Sequence, residues 1–322
     1  MKGAGGLARS TAVGIVLVAI PITMARAMGY DEVTPLAQLI AYVPYVGWLA
    51  LAALVFALIT RAGPLILLAL VVAGVHVWWQ VPRFIGEDFL VPAAYSAPPA
   101  DAPRLRVMTL NMHIGEADAA TVVRLVREQR VDVLALQELT PEAVGRLDAA
   151  GLGQLLPHRF HRAAPGPGGM GLYSLHPLTQ QRILPGTTFP MTGAGIQIGR
   201  QPVTIQSVHA TPPMPGSADR WARDLDALGA VPASGPRILL GDFNATLDHA
   251  RIRRLTDAGY LDLHEALGRG AVRTWPATAW FPPPVAIDHV LVNGGMRPVG
   301  VMEQVVPGAD HRAVIGEVAI TG

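Results

Sequence analysis

Four apolar runs in the later part of the chain each end in a side chain that can hold a metal ion or a phosphate. These side chains are Asn111 in RVMTLN, Glu138 in VDVLALQE, His209 in PVTIQSVH and Asp242 in RILLGD, and Asn244 follows two positions later. Carboxylates beside an open position suit Mg²⁺, which binds one or two carboxylates and keeps several waters. The residue types therefore predict a divalent-cation site next to amide and imidazole groups.

Two Asp-His pairs extend this set toward the C-terminal end. Asp288-His289 interrupts the apolar run AIDHVLV, and Asp310-His311 lies in the loop PGADHRA. Each residue alone is typical of a turn or a cap, but their recurrence at comparable positions favours one shared site. Successive strand residues face opposite sides, so we expect His289 to be structural. The histidines expected at the surface are His158, His161, His249 and His264.

Strand-like and helix-like stretches mix through residues 104–322, and these elements must bring the site residues together. The strand-like runs are LRVMTLNM, VDVLALQE, GMGLYSL, IQIG, PVTIQSVH, RILLGDF, AIDHVLVN and RAVIGEVAI. Helical periodicity predicts helices at Ala119–Gln129, Ala218–Leu228 and His249–Ala258. This mixture indicates an α/β or α+β domain. Polar groups at the carboxyl ends of buried strands gather on one rim of a sheet, where ligand crevices form.

The first ninety residues differ from the rest, because three long stretches carry no charge. They are Ser10–Ala25, Val33–Thr60 and Ala62–Pro82. A helix needs about 20 apolar residues to cross the hydrocarbon core. We therefore expect a transmembrane region at 1–90 with three helices, at about 11–28, 35–60 and 63–82. The alternative for the first stretch is a cleaved signal peptide, since it follows a basic segment.

The Pro/Ala-rich segment at 91–103 is predicted to be a linker, followed by a catalytic domain at 104–322. Basic residues concentrate on the cytoplasmic side of membrane proteins. The basic residues that would lie inside are Lys2, Arg9 and Arg61, against Arg26 and Arg83 outside. We therefore expect a multi-pass protein of the cytoplasmic membrane, with the lipid bilayer as a partner and an extracytoplasmic catalytic domain.

Composition excludes several classes of chemistry. The chain has no cysteine, so it has no disulfide, thiolate zinc site or cysteine nucleophile. It also has no Gly-x-Ser-x-Gly elbow and no Walker-type phosphate loop. Its formal net charge is only +1, which argues against binding nucleic acid by bulk electrostatics. We expect no stable nucleic-acid partner.

Six motifs together resemble the endonuclease/exonuclease/phosphatase superfamily, in the family's order and over nearly all of 104–322. They are TLN with Asn111, LQE with Glu138, SVH with His209, GDFN with Asp242 and Asn244, IDHVLV with Asp288, and ADHRAV with Asp310 and His311. The resemblance implies a four-layered α/β sandwich of two central β-sheets with helices outside. It also implies metal-dependent hydrolysis of phosphate esters, with Mg²⁺ or Mn²⁺ as cofactor.

The resemblance also implies a role for each residue. Glu138 would hold the metal ion, with Asn111 and Asp310 as the other residues of the metal site. The metal would neutralise a phosphate oxygen and the developing charge.

The remaining site residues would be catalytic. Asp242 and Asn244 would align the attacking water or hold the phosphoryl group. Asp288 would orient His311 through one ring nitrogen. His209 would bind a phosphate oxygen or assist the leaving group. A basic residue is common just before the IDH motif in relatives, but Ala286 stands here, which removes one phosphate contact.

Three functions remain open, because a fold does not choose its substrate. The first is a membrane-anchored phosphoesterase acting on a lipid or lipid-linked phosphate or pyrophosphate. This first function is suggested because the chain looks similar to membrane-tethered bacterial members of the superfamily, some of which are associated with glycopeptide-antibiotic resistance. The second is a tethered extracellular nuclease, and the third is a non-enzymatic receptor on the same fold. The SVHATPP segment resembles the deoxyribonuclease, sphingomyelinase and phosphatase branches, and the aromatic loop at Arg273–Ile287 is a candidate bilayer contact.

Overall fold

The computed structural model describes residues 2–90, 98–230 and 235–321. The helices are α1 Lys2–Met28, α2 Leu36–Ile40, α3 Val43–Ile59, α4 Gly63–Leu90, α5 Ala119–Glu128, α6 Pro141–Ala149, α7 Leu152–Leu155, α8 Ala218–Ala230, α9 Ala250–Asp257 and α10 Leu263–Ala266. The strands are β1 Arg104–Asn111, β2 Val133–Gln137, β3 His158–Arg162, β4 Met170–Ser174, β5 Thr179–Ile183, β6 Thr192–Ile198, β7 Gln201–His209, β8 Arg237–Asp242, β9 Leu261–Asp262, β10 Asp288–Val292, β11 Met296–Val305 and β12 Arg312–Ile320.

These strands form two six-stranded mixed sheets. The first has the order β11-β12-β1-β2-β4-β3, and the second has the order β5-β6-β7-β8-β10-β9. Strands β1 and β2 are parallel neighbours in the first sheet, and β7 and β8 are parallel neighbours in the second. The two parallel pairs contact each other across the interface between the sheets. Their carboxyl ends therefore meet at the same edge of the sandwich.

The layers follow from how each strand divides its apolar side chains. In β1, Leu105 and Val107 join the core between the two sheets, while Met108 and Leu110 face α5, α6 and α7. A third core packs α8 and α9 on the outer face of the second sheet, around Trp221. Helices, sheet, sheet and helices therefore form four layers, as the sequence analysis predicts. Because both faces of the central strands are buried, these strands read as nearly continuous apolar runs.

Local signals place several helices close to their predicted bounds. Helix α5 begins after Asp118, whose side chain accepts a hydrogen bond from the Thr121 amide at 2.8 Å. Helices α8 and α9 likewise fall within two residues of prediction at each end. Strands β3, β5, β9 and β11 were not predicted. Strand β5 is largely exposed, so it shows no buried apolar pattern.

The N-terminal region departs from the predicted three spans. Within the described residues, two helical stretches, Gly5–Met28 and Gly63–Gly86, are long and apolar enough to cross a membrane by length and composition. Helix α3 has only 17 residues, because the predicted helix at 35–60 is divided between α2 and α3. Pro44 lies in the first turn of α3, where its missing amide is tolerated, whereas inside a longer helix it would break a hydrogen bond. Most of the predicted linker, residues 91–97, lies outside the described residues.

One end of the helical bundle is fixed to the α/β domain through buried ion pairs. The Asp248 carboxylate accepts hydrogen bonds from Arg26 of α1 at 2.6 Å and from Arg83 of α4 at 2.8 Å. Arg251 of α9 pairs with Asp31 at 3.0 Å, just beyond α1. These contacts hold α1 and α4 against the segment that directly follows the GDFN motif.

Two histidines expected at the surface are buried, and that expectation was wrong for them. His249 is 1% exposed, and its Nε2 lies 2.7 Å from the Ala37 carbonyl. His264 is 3% exposed, with Nε2 2.7 Å from Glu303. Both residues are covered by structure that is distant in sequence, so their local sequence gave no sign of burial.

Candidate active site

The strand ends place most of the predicted site residues side by side. His209 at the end of β7 pairs in register with Asp242 at the end of β8, and Asp242 pairs with Asp288 at the start of β10. Asn111 ends β1 on the facing sheet, and its side chain reaches Asp242 across the interface. All four residues are at least 99% buried. The site therefore lies where the carboxyl ends of both parallel pairs meet.

Gly241 allows this approach of β7 and β8. Its φ is 150°, and a Cβ atom at this position would overlap the Val208 carbonyl group. The glycine of the GDFN motif is thus required by the backbone contact that brings Asp242 beside His209.

Asn111 bridges the two sheets as a hydrogen-bond donor. Its Nδ2 donates to Glu138 Oε1 at 3.1 Å and to Asp242 Oδ2 at 3.1 Å. Its Oδ1 accepts the His113 backbone amide at 2.9 Å, which sets the orientation of the carboxamide. Asn111 therefore presents nitrogen rather than oxygen to the two carboxylates. In this orientation Asn111 positions the two carboxylates, and its role as a metal ligand stays a prediction.

Two of the polar residues adopt left-handed backbone conformations that are uncommon outside glycine. The φ angle is 53° at Glu138 and 47° at Asn244. Glu138 Oε2 accepts the Ile114 amide at 2.8 Å, and the Asn244 amide donates to Asp242 Oδ1 at 2.8 Å. Such strain is retained where the surroundings over-determine it, commonly at functional sites.

Asp288 and His311 form the shortest charged contact of the site. His311 Nδ1 lies 2.9 Å from Asp288 Oδ2, and Thr274 Oγ1 accepts the Asp288 backbone amide at 3.1 Å. This leaves His311 Nε2 free to face Asp242 Oδ2 at 3.7 Å and Asp310 Oδ1 at 4.0 Å. Burial disfavours the charged imidazole, but Asp288 and Asp242 outweigh it, so the pKa of His311 is raised.

His209 is held in the opposite protonation state. Burial, and then the proximity of His311, lower the pKa of His209 to about 3. Its ring stacks on Phe189 with 4.7 Å between ring centroids. Its Nε2 lies 3.8 Å from Glu138 Oε1 and 3.9 Å from Asp242 Oδ2. Burial also raises the pKa of Asp242, against the opposing charge of His311. The site thus holds one neutral and one charged imidazole around one carboxylate.

The carboxylates of this edge suit a divalent cation. Among the described residues, no lysine or arginine forms an ion pair with Glu138, Asp242, Asp288 or Asp310. Ligand atoms of Asp242, Asp288 and His311 lie within 4.8 Å of one another. Unpaired oxygen donors are what Mg²⁺ and Mn²⁺ prefer. Beside this group, the Glu138 carboxylate shares the Asn111 Nδ2 donor with Asp242, and the half-exposed Asp310 lies at the rim, so both are further candidate donors.

The structure adds residues that sequence patterns missed. Thr274 positions Asp288, Phe189 supports His209, and Trp275 Nε1 donates to Asp310 Oδ2 at 3.3 Å. Beneath the site, Gln137 links Thr109 of its own sheet to Ser207 of the facing sheet. Trp275 belongs to the predicted aromatic loop. Threonine, phenylalanine and glutamine carry no recognisable spacing here, so only the fold identifies them.

Comparison with protein families assigns the domain that carries this site. Residues 108–311, more than half of the chain, match the model of the Endonuclease/Exonuclease/phosphatase family. The chain therefore belongs to this family, and its α/β sandwich is a phosphoesterase-like domain. The matched range contains all eight predicted site residues and ends at one of them, His311.

Solved structures agree on the fold. The chain is similar to an endonuclease/exonuclease/phosphatase from Beutenbergia cavernae DSM 12333, with 20% identity, TM-score 0.54, and coverage of 68% of this chain and 72% of that one. It is also similar to D. rerio TDP2 complexed with single strand DNA product, with 18% identity, TM-score 0.53, and coverage of 67% and 98%. A family protein from Leptotrichia buccalis C-1013-b gives 13% identity, TM-score 0.52, and coverage of 66% and 99%. No curated protein matches the sequence.

Proposed function

We propose that this protein is a membrane-anchored, divalent-metal-dependent phosphoesterase. Its substrate would be a lipid or lipid-linked phosphate or pyrophosphate at the outer face of the cytoplasmic membrane. The observation that carries the proposal is the attachment of the apolar helices to the active-site segment itself. Asp248, six residues after Asp242, is the carboxylate that Arg26 and Arg83 hold. A site built this close to membrane-spanning helices would work at the bilayer surface.

The carboxylates divide into a cation-binding part and a water-binding part. Glu138, with Asp310 at the rim, would hold Mg²⁺ or Mn²⁺, which when bound supplies positive charge to a phosphate oxygen. Asp242 has a raised pKa, which favours proton uptake from a water near neutral pH. Asn244 fixes the Asp242 carboxylate through its backbone amide at 2.8 Å and its side chain at 3.3 Å. Asn244 thus keeps the proposed base in one orientation.

The two imidazoles would act on the phosphoryl group. His311 is held in the charged form by Asp288, so its Nε2–H would donate to a phosphoryl oxygen as negative charge develops. His209 is neutral, so its Nε2 would donate or accept one hydrogen bond without adding charge. The short contact to Asp288 sets the tautomer and direction of the His311 ring.

Exposed aromatic side chains support a lipid substrate over a soluble one. Trp280 is 84% exposed and Phe281 is 72% exposed, in the loop that leads to Asp288. Tyr45 of α3 donates to the Pro284 carbonyl at 2.6 Å, which ties the base of this loop to the helical bundle. Large exposed aromatics beside apolar helices are typical of a surface that contacts the membrane interface.

A second candidate is a tethered extracellular nuclease. It is favoured by the likeness in fold to D. rerio TDP2, whose structure contains a single strand DNA product. The near-neutral charge of the chain argues against it, since nucleic-acid affinity rests mainly on phosphate neutralisation. A non-enzymatic receptor is the weakest candidate, because the site keeps its carboxylates and both imidazoles.

One assay separates these candidates. The full chain, purified in detergent with Mg²⁺, is tested for phosphate release from lipid phosphates and pyrophosphates and for nicking of plasmid DNA. We expect lipid hydrolysis that falls by about 10³-fold or more in Asp242→Ala and His311→Ala, given the usual cost of removing a catalytic group. Asp257→Ala and His158→Ala, away from the site, are the matched controls. DNA cleavage without lipid hydrolysis would favour the nuclease, and full activity in both site variants would refute the site.

A further inference from the structure

A cavity of about 520 Å³ lies between the helical bundle and the α/β domain, away from the reacting groups. Helices α3 and α4 form one wall, and the segments around α10 and the start of β10 form the other. Its volume falls in the range of about 300–1,000 Å³ that is typical of small-molecule sites.

The wall formed by α3 and α4 is apolar and continues onto the outer surface of the helices. Trp48 of α3 and Val77, Val81 and Phe84 of α4 all line the cavity. These four side chains are 42–71% exposed, with Trp48 the most exposed and Val81 the least. The cavity is therefore open sideways, along the surface that would face hydrocarbon in a membrane.

The domain side of the cavity carries unpaired positive charge. Arg269 and Arg273 line it, and within the part of the chain that the structure describes neither has a carboxylate within 4.0 Å. Both guanidinium groups lie at exposed positions, beside an apolar wall. This combination complements an anionic head group attached to an apolar chain.

A buried polar atom beside the cavity lacks a hydrogen-bond partner. His264 is 3% exposed and lines the cavity, and its Nδ1 atom has no hydrogen bond in the described structure. The nearest carboxylate to His264 Nδ1 is Asp262 at 3.9 Å, too far for a hydrogen bond. Buried polar groups are normally satisfied, so this atom points to a ligand with a polar group.

The cavity and the reaction site lie on opposite faces of β10. His289 lines the cavity, while its neighbour Asp288 contacts His311 in the active site. Successive residues of a strand point to opposite faces. A molecule in the cavity would therefore not reach the catalytic carboxylates.

We propose that this cavity binds one anionic phospholipid as a resident ligand, distinct from the substrate. The acyl chain lies along Val77 and Val81, and the phosphate of the head group contacts Arg269 and Arg273. The ligand joins α4 to the domain, and its binding does not depend on the proposed hydrolysis.

Native mass spectrometry of the full chain in detergent tests this site. Phosphatidylglycerol and phosphatidylcholine are offered separately, and retained lipid is counted per protein. We expect phosphatidylglycerol to be retained about tenfold better than phosphatidylcholine. A tenfold difference in affinity is what one additional charge-assisted hydrogen bond provides. Val81→Trp, which fills the apolar part, should lower retention of both lipids about fivefold or more by displacing chain contacts. Val71→Trp, exposed on the same helix outside the cavity, is the matched control.

The head group is tested by the double variant Arg269→Gln/Arg273→Gln. This double variant should retain both lipids equally. The control Arg220→Gln, which replaces an exposed arginine on α8, should keep the preference for phosphatidylglycerol. Thermal unfolding of each variant checks that it is folded. If Val81→Trp does not fold, the variants of the surface arginines still test the site. Equal retention by Val81→Trp and Val71→Trp, or a preference that survives loss of both arginines, would overturn the proposal. Displacement by soluble glycerol phosphate would also overturn it, because the site would then bind a small anion.

Discussion

The contact between Asp288 and His311 determines the charge that the proposed active site would present to a phosphoryl group. At 2.9 Å it holds the imidazole in one tautomer and raises its pKa. His209, which is buried and has no carboxylate at hydrogen-bond distance, has a lowered pKa. Two histidines on one edge thus differ in charge because their neighbours differ, which is how one site assigns a donor and a neutral group.

We expect Asp288→Asn to lower the rate of phosphoester hydrolysis by about 10²–10⁴-fold, by loss of the charged, oriented imidazole. The pKa of His311 should fall toward its ordinary value. A raised histidine pKa keeps the charged form as pH rises, so the alkaline limb of kcat/KM should move to lower pH in the variant. Steady-state rates between pH 6 and 10 measure this shift. An unchanged profile, matching that of Asp257→Asn, would show that Asp288 does not set the charge of His311.

Glu138 is the residue that we expect to bind the divalent cation. We expect added Mg²⁺ to raise the free energy of unfolding of the wild type, by about 2.7 kcal/mol at a concentration 100 times Kd. Glu138→Gln should lose most of this gain, because a neutral amide is a weaker ligand for a hard cation. Denaturant titrations with Mg²⁺ and with chelator measure the difference. Glu142→Gln, an exposed acidic position on α6, should respond like wild type, and equal gains in all three proteins would contradict the assignment.

The segment between β8 and α9 joins the proposed active site to the helical bundle. Its first part holds Asp242 and Asn244 in the site, and its last part holds Asp248 against two helices. The pKa of Asp248 is lowered to about 2, since Arg83 and Arg26 outweigh the effect of burial. A shift of α1 or α4 would therefore act directly on the segment that carries the proposed base.

We expect Asp248→Asn to destabilise the protein by about 3–5 kcal/mol, because two buried guanidinium groups lose their carboxylate. Chemical denaturation in detergent measures the loss, and Asp257→Asn on α9 should stay within about 0.5 kcal/mol of wild type. A depressed carboxylate pKa contributes stability above the unfolded pKa near 4. In the wild type this contribution should therefore decline as pH falls from about 4 through 2. If Asp248→Asn is as stable as wild type, the ion pairs of Asp248 with Arg26 and Arg83 are not needed for stability.

At the scale of the whole molecule, the contacts place the α/β domain at one end of the helical bundle. Arg26, Tyr45 and Arg83 all contact the domain, and they lie at one end of α1, α3 and α4. Arg61, between α3 and α4, lies at the other end. A helix of 17 residues is about 25 Å long, so the two ends are separated by most of the thickness of a hydrocarbon core.

This arrangement predicts the topology, which single cysteines can test because the chain has none. We expect a membrane-impermeant maleimide to label Arg200→Cys, an exposed turn of the domain, in intact cells. Arg61→Cys should react only after the membrane is opened. Labelling of Arg61→Cys alone would place the domain in the cytoplasm, and labelling of both in intact cells would show that the helices do not separate them.

The amino-acid sequence alone was sufficient to predict the fold class and most of the polar side chains that the structure brings together at the edge of the sandwich. Buried strands have a local signature, since both of their faces require apolar residues, so β1, β2, β7 and β8 were predicted with their polar ends. Exposed β5 lacks that signature and was missed. The site motifs could be identified because each needs particular residue types at a strand end.

Tertiary structure decided what depends on groups far apart in the chain. The orientation of Asn111 follows from a backbone amide and two carboxylates, and the burial of His249 and Asp248 follows from helices some 165–222 residues away. Residue types and spacing along a strand are local, so the sequence determined which side chains meet at the edge of the sandwich. Charge, orientation and the contact with the helices depend on three-dimensional neighbours, and only the folded chain defines them.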